Sequence, residues 1–125
     1  MENLLIQVLF GHLIGDFFLQ HSVMADNKYY SGLEGFFWCS IHVLVYTLTV
    51  GLFAENFSLL FLLGVYIPHW IVDRWSLAYH WMRFIGRGNL LKSGSPQEVS
   101  FGVVIYVTID QTIHLECLYI LLILI

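Results

Sequence analysis

Four long apolar runs divide the chain: Leu4–Leu19, Phe36–Phe53, Leu59–Trp75 and Val99–Ile125. A helix crosses the hydrocarbon core of a bilayer with about 20 residues, within a range of about 17–25. The first run is short for that task and the last is long, so tilt or partial burial in protein is expected. Backbone groups cannot stay unpaired in lipid, so each run predicts a helix. Between the second and third, "AENFS" reads as a tight turn. The longest connection runs roughly from His80 to Glu98 and contains the polar, glycine-rich "GRGNLLKSGSPQE". Its last residues predict where the fourth helix starts, with Ser95 as N-cap, Pro96 at the first helical position and Glu98 closing a capping box. The pattern therefore predicts an all-α integral membrane bundle of about four transmembrane helices, forming one domain over residues 1–125.

Composition agrees with the pattern. The 125 residues are 58% hydrophobic and 11% charged, and mean hydropathy is +0.76. Soluble domains carry about 25% charged and about 45–50% apolar residues. No basic n-region precedes the first run and no small-residue cleavage site follows it, so it is expected to remain as a span. A net charge of −4 argues against nucleic acid as a partner. Cys39 and Cys117 fall inside apolar runs and read as unpaired packing residues.

Charge placement predicts an orientation. With four spans, one side holds both termini and the "AENFS" turn, with Glu2, Glu55 and no lysine or arginine. The other side holds Lys28, Arg83, Arg87 and Lys92, with Arg74 at a helix end. The positive-inside rule makes the second side cytoplasmic and both termini exterior, as in a bacterial inner membrane. Trp38, Trp70, Trp75 and Trp81 lie near that same side, as an interfacial aromatic belt should.

Against this apolar background, the ionisable residues inside the runs stand out. The first helix has His12 and Asp16, the second His42, the third His69 and Asp73, the fourth Asp110 and His114. Three helices thus carry a His/Asp pair at i,i+4, about 40° apart around the axis and on one face. A charge at mid-bilayer costs about 2.5–3.5 kcal/mol on insertion scales, so one shared interior cluster is expected. Imidazole with carboxylate suits a divalent metal such as zinc, iron, manganese or nickel. Seven candidates exceed one tetrahedral site. They allow a two-metal site, or one site with further carboxylates orienting the histidines. The plainer alternatives are a proton or ion relay and a hydrogen-bonded structural core. Gln20 and Gln111 are candidate hydrogen-bond partners behind the ligands, whereas His21 and His80, beside aromatic residues at the ends, are expected to be exposed. Asp110 poses a difficulty, because it lies roughly 16 Å along a helix entering at Val99. It joins the cluster only if that helix begins outside the bilayer core or along its surface.

"GHLIGDFFLQ" followed by Lys28, then His42, "HWIVD" at 69–73 and "DQTIH" at 110–114 resembles a family of bacterial and phage membrane proteins, domain of unknown function 3307. The resemblance covers nearly the whole chain. Arg74–Trp75 departs from it, since family members often carry a lysine shortly after the H-x-x-x-D aspartate; Arg74 keeps a positive charge nearby. The resemblance implies no established activity. In its intramembrane H-x-x-x-D pattern the chain is similar to small membrane-embedded metal-dependent hydrolases, an analogy that does not fix chemistry.

The leading functional expectation is a membrane-embedded metal-dependent hydrolase acting on a lipid or another amphiphile. The metal would be held among His12, Asp16, His42, His69, Asp73, Asp110 and His114, with Asp16 or Asp110 as general base. Lys28, Arg74, Arg83 and Arg87 would face an anionic head group, with Gln20 and Gln111 at the substrate side. The competing expectations are a small proton or metal transporter or channel subunit, which at this size requires a homo-oligomer, and a non-enzymatic accessory membrane protein.

Overall fold

The computed structural model describes residues 2–91 and 95–125. Lys92, one of the residues behind the expected orientation, lies outside them. The described residues are helical throughout: α1 (Glu2–Leu13), continued by a π-helical turn (Ile14–Phe18), α2 (Ser22–Asn27), α3 (Gly32–Phe53), α4 (Leu59–Arg74), α5 (Leu77–Phe84), a 3₁₀ turn (Gly88–Leu91) and α6 (Pro96–Leu124). The bundle is made by α1, α3, α4 and α6. Helix α3 packs between α1 and α4, and α6 closes against α4 and, more lightly, α1.

Each bundle helix buries one stripe. On α3 it is Gly35, Cys39, His42, Val43, Tyr46, Thr47, Val50 and Gly51, and on α4 it is Phe61, Val65, His69, Val72 and Asp73. These recur at the three- and four-residue spacing of one helical face. The opposite faces carry exposed Leu48, Leu52, Leu60, Val104, Ile120 and Leu124. A surface so apolar is what lipid, rather than water, would cover. Helices α3 and α6 are long and apolar enough to cross a membrane. The other two are shorter. α1 with its π turn is an apolar helix over Asn3–Phe18. α4 has 16 residues, or about 24 Å against a core of about 30 Å. The expectation of about four spans is met to the extent of four bundle helices, two of them of spanning length.

The cap read from "SPQE" forms as expected. The Ser95 hydroxyl accepts from the Glu98 amide, the Glu98 carboxylate accepts from the Ser95 amide at 2.7 Å, and Pro96 opens the helix. The structure adds two elements that the hydropathy pattern did not announce. Helix α2 lies in the connection after the π turn, where the His21 ring nitrogen accepts from the Val23 amide as N-cap. Helix α5 occupies the start of the expected polar connection, burying Ala78 and Met82 and exposing Trp81 and Phe84. The 3₁₀ turn packs against the first turns of α6. A Cβ on Gly102 would stand 2.5 Å from the Leu90 carbonyl oxygen.

Close approach of α1 to α3 depends on Gly11 and Gly15, a G-x-x-x-G spacing that lets helix backbones meet. A Cβ on Gly11 would stand 2.9 Å from Val50 Cα and 3.1 Å from Phe53 Cβ, and one on Gly15 would meet Tyr46. On the other side of the bundle, a Cβ on Gly64 would meet Leu121 Cδ1 at 2.5 Å. The obstacle to Gly11 is backbone, whereas the obstacle to Gly64 is the end of a flexible side chain. Gly11→Ala should therefore destabilise by about 1–3 kcal/mol, the usual cost of overpacking, and Gly64→Ala by clearly less. Thermal unfolding in detergent, followed by helical circular dichroism, checks this. Equal melting temperatures for the two variants would contradict the backbone contact.

Candidate metal centre

The four helices build the bundle interior in layers. Val8, Val50, Ala54, Phe61, Val65 and Leu118 form an apolar core toward the end that holds both termini. One to two turns away, toward the other end, each helix changes to polar residues. His12 and Asp16 follow Val8, His42 and Tyr46 precede Val50, His69 and Asp73 follow Val65, and Asp110 and His114 precede Leu118. His12, His42, His69, His114, Asp16 and Asp73 are buried, and Asp110 is half-buried.

Local structure aims the first of these. In the π turn the Leu19 amide donates to the Ile14 carbonyl at 3.0 Å, one residue farther than in an α-helix. Such turns recur at functional sites because they re-aim a side chain within a continuous helix. Here the turn holds Gly15 against Tyr46 and presents Asp16 to α3. Asp73 sits in the last turn of α4, and Pro68 lies within that helix one residue before His69.

Four ligand-type atoms converge from three segments. His42 Nε2 lies 3.2 Å from Asp16 Oδ1 and 3.2 Å from Asp73 Oδ2. His69 Nε2 lies 3.3 Å from His42 Nε2, 3.7 Å from Asp16 Oδ1 and 3.5 Å from Asp73 Oδ2. Tetrahedral bonds of about 2.0–2.1 Å place ligand atoms about 3.3–3.4 Å apart, close to these spacings. Each neutral imidazole brings at most one proton to Nε2, and an ionised carboxylate brings none. Two protons cannot bridge all five contacts, and the spacing is compatible with a cation held between the atoms.

A second group adjoins the first. His114 Nε2 lies 3.2 Å from the other Asp73 oxygen, Oδ1, and 3.6 Å from Asp110 Oδ2. Ligand atoms of Asp16, Asp110 and His114 also fall within 4.8 Å of one another, as do those of His69, Asp73 and His114. The His69 and His114 rings stack at 4.0 Å, and Tyr46 covers the other side of His69 at 3.8 Å. Nδ1 of His69 and Nδ1 of His114 are buried with no hydrogen-bond partner among the described residues.

His12 stands behind this arrangement rather than in it. Its Nδ1 meets the Tyr46 hydroxyl at 2.9 Å and its Nε2 meets Gln111 Oε1 at 2.7 Å, so both ring nitrogens are taken. Gln111 in turn donates its amide to Asp16 Oδ2 at 2.7 Å and to Asp110 Oδ2 at 3.3 Å. One chain of contacts thus joins Tyr46, His12, Gln111 and the two carboxylates. Tyr46 was missed in the sequence, although its position four residues after His42 puts it on the same face.

The cationic residues divide. Lys28 is not a surface group; only 5% exposed, it places Nζ 2.8 Å from Asp73 Oδ2. Burial alone would push its ammonium down, but the Asp73 carboxylate outweighs that and holds the lysine above its ordinary value. Arg74 ends α4 and takes no part in the cluster's hydrogen bonds or ion pairs. Arg83 lies over the Tyr79 ring at 5.9 Å, and Arg87 is exposed. Gln20 has a buried amide nitrogen without a hydrogen-bond partner among the described residues and, with Asp16, Lys28 and Asp110, lines a cavity of about 160 Å³. His21 and His80 are exposed, and Cys39 and Cys117 are free, as read from the sequence.

Removing one partner of a buried ion pair leaves the other charge uncompensated, at a cost of about 3–5 kcal/mol. Lys28→Met should lower the melting temperature in detergent sharply, with Lys28→Arg retaining most of the stability. An unchanged melting temperature for Lys28→Met would contradict a charged, buried Asp73.

No curated protein and no solved structure matches the chain. The family described as "Protein of unknown function (DUF3307)" matches residues 4–125, nearly the whole length and every residue of the cluster. The chain belongs to that family.

Proposed function

We propose that this chain is a membrane-embedded, metal-dependent hydrolase acting on a lipid or another amphiphile. The observation that carries the reading is that His42 and His69 meet each other, Asp16 and Asp73 at spacings of 3.2–3.7 Å, as atoms of a tetrahedral ligand set do. Charge supports it. Three carboxylates (Asp16, Asp73, Asp110) against one ammonium (Lys28) give −3 + 1 = −2 with neutral imidazoles, the charge one divalent cation offsets. The mixed imidazole and carboxylate donors suit zinc, iron or manganese. Such a cation would polarise a carbonyl or phosphoryl oxygen and make a water acidic near neutral pH.

The chain's own residues supply the rest. Asp16 is held by His42 and Gln111, which suits a ligand more than a base. Both contacts of Asp110 run through Oδ2, which leaves Oδ1 to accept a proton from water in the adjoining cavity. Tyr29 and Tyr106 wall that cavity with Gln20 and Lys28. His12 and Gln111 fix the carboxylates from behind.

In the bilayer, α3 and α6 would cross fully, while α1 and α4 complete four spans with local thinning. The chain's topology gathers Lys28, Arg74, Arg83 and Arg87 at the end nearer the cluster, which the positive-inside rule makes the cytoplasmic end of an inner-membrane protein. Helix α5 would lie in that interface with Trp81 and Phe84 toward lipid and Arg83 toward head-group phosphates.

Elemental analysis of the full chain purified in detergent without chelator tests the metal. At least one divalent transition metal per chain is expected. His42→Ala and His69→Ala should remove most of it, and His12→Ala should weaken binding about 10–100-fold, as loss of an orienting partner does. Asp110→Asn should abolish product release from ester or phosphoester lipids in vesicles while metal at the four-residue set stays. Wild-type protein that takes up neither zinc nor manganese would sink the reading. For orientation, a reporter fused after Ile125 should be active only outside the cytoplasm; activity only inside would reverse the assignment.

A further inference from the structure

Asp73 does not spend both oxygens on one partner set. Oδ2 faces His42, His69 and Lys28, at 3.2, 3.5 and 2.8 Å, while Oδ1 faces His114 Nε2 at 3.2 Å. Asp16 is shared differently. Its Oδ1 faces His42 and His69, its Oδ2 takes the Gln111 amide, and the residue groups with Asp110 and His114 within 4.8 Å. A carboxylate that turns one oxygen to either side, as Asp73 does, is the usual bridge of a two-metal centre, where the ions lie about 3.5–4 Å apart.

We infer that Asp73 Oδ1, His114 Nε2, Asp110 and Asp16 form a second divalent-cation site beside the first, open to the cavity. The inference rests on the metal reading above. The two sites differ in chemistry. The first draws two imidazoles and two carboxylates, whereas the second draws one imidazole and three carboxylates, a harder set that suits manganese or magnesium more than zinc. They also differ in access. His42 and His69 are 1% and 3% exposed, but Asp110 has a side chain 15% exposed and lines the cavity together with Asp16. A metal that binds substrate keeps an open position, and the cavity gives the second site one.

Charge then selects the occupant of the cavity. One divalent cation neutralises the cluster, and a second leaves it at −2 + 4 = +2. In a low-dielectric interior that excess requires an anion. Lys28, Tyr29 and Gln20, whose amide nitrogen has no partner among the described residues, line the same space. The ligand class is an anionic phosphoryl group, and Gln111, donating to Asp16 and Asp110 together, holds the two carboxylates at the distance the second cation needs.

Manganese binding to the full chain in detergent, with and without inorganic phosphate, tests this without reference to turnover. Two ions per chain are expected in the presence of phosphate, with the exchange-coupled paramagnetic resonance spectrum of a close pair. Asp110→Asn, which keeps the side-chain shape, should bind one ion and show an uncoupled spectrum. His114→Gln should do the same, and helical circular dichroism establishes that both variants are folded. One uncoupled ion in the wild type under both conditions would overturn the second site and leave the first. Two ions in wild type and in both folded variants would also overturn it, because the second would lie elsewhere. No ion at all would instead remove the reading on which the inference rests.

Discussion

Burying carboxylates among apolar helices is the constraint on which the structure turns. Asp73, 1% exposed, and Asp16, 6% exposed, would each carry a desolvation penalty of several kcal/mol if left alone. Neither helix can relieve it by itself. The i,i+4 histidine on α4 contacts Asp73 at 3.5 Å, but its closer partners come from α3, α6 and the end of α2: His42, His114 and Lys28. Each carboxylate is thus satisfied only when several helices are in place. That requirement sets the register of the bundle more tightly than apolar packing does, because a Leu or Val tolerates a shift that a shared oxygen does not.

Much else follows from holding that register. The glycines of α1 bring its backbone against α3 at the level of Val50 and Tyr46, which puts His12 and Asp16 within reach of Tyr46 and His42. Helix α6 has 29 residues, or about 43 Å, more than a bilayer core requires. Its first turns pack on the 3₁₀ turn at Gly88–Leu91. That length brings Asp110 to the level of the cluster. The helix begins well before the level of the cluster, so a residue fourteen positions from Pro96 still meets Asp16 and His114.

What could be read from the sequence was what depends on composition and local chemistry. Apolar runs marked the four bundle helices, and Ser95, Pro96 and Glu98 marked the start of α6 to the residue. The i,i+4 pairs marked the side chains that share an interior. What could not be read depends on tertiary contact. Helices α2 and α5 are short, six and eight residues, and too weakly apolar to register beside the long runs. The π turn has no propensity signal, although it places Gly15 where a Cβ would meet Tyr46. The role of Gly11 and Gly15 depends on which helix lies opposite, since a Cβ there would meet Val50 and Tyr46 of α3. Lys28 read as an interfacial charge because nothing local shows that Asp73, 45 positions away, lies within 2.8 Å of it.

His42 shows most clearly why counting local pairs is not enough. It has no acidic residue at i+4 and would be the weakest ligand candidate on that basis. In the structure its Nε2 is the one atom within 3.3 Å of Asp16, Asp73 and His69 together. His12, with a well-placed i+4 aspartate, instead has both nitrogens occupied by Tyr46 and Gln111. The i,i+4 relation places two side chains on one face, but it does not decide which faces the shared centre and which braces it from behind. That is decided by the helix opposite. α3 presents His42 toward the two carboxylates and, one turn later, presents the Tyr46 hydroxyl toward His12. The same face therefore supplies a ligand to one level of the bundle and a hydrogen-bonding brace to the next.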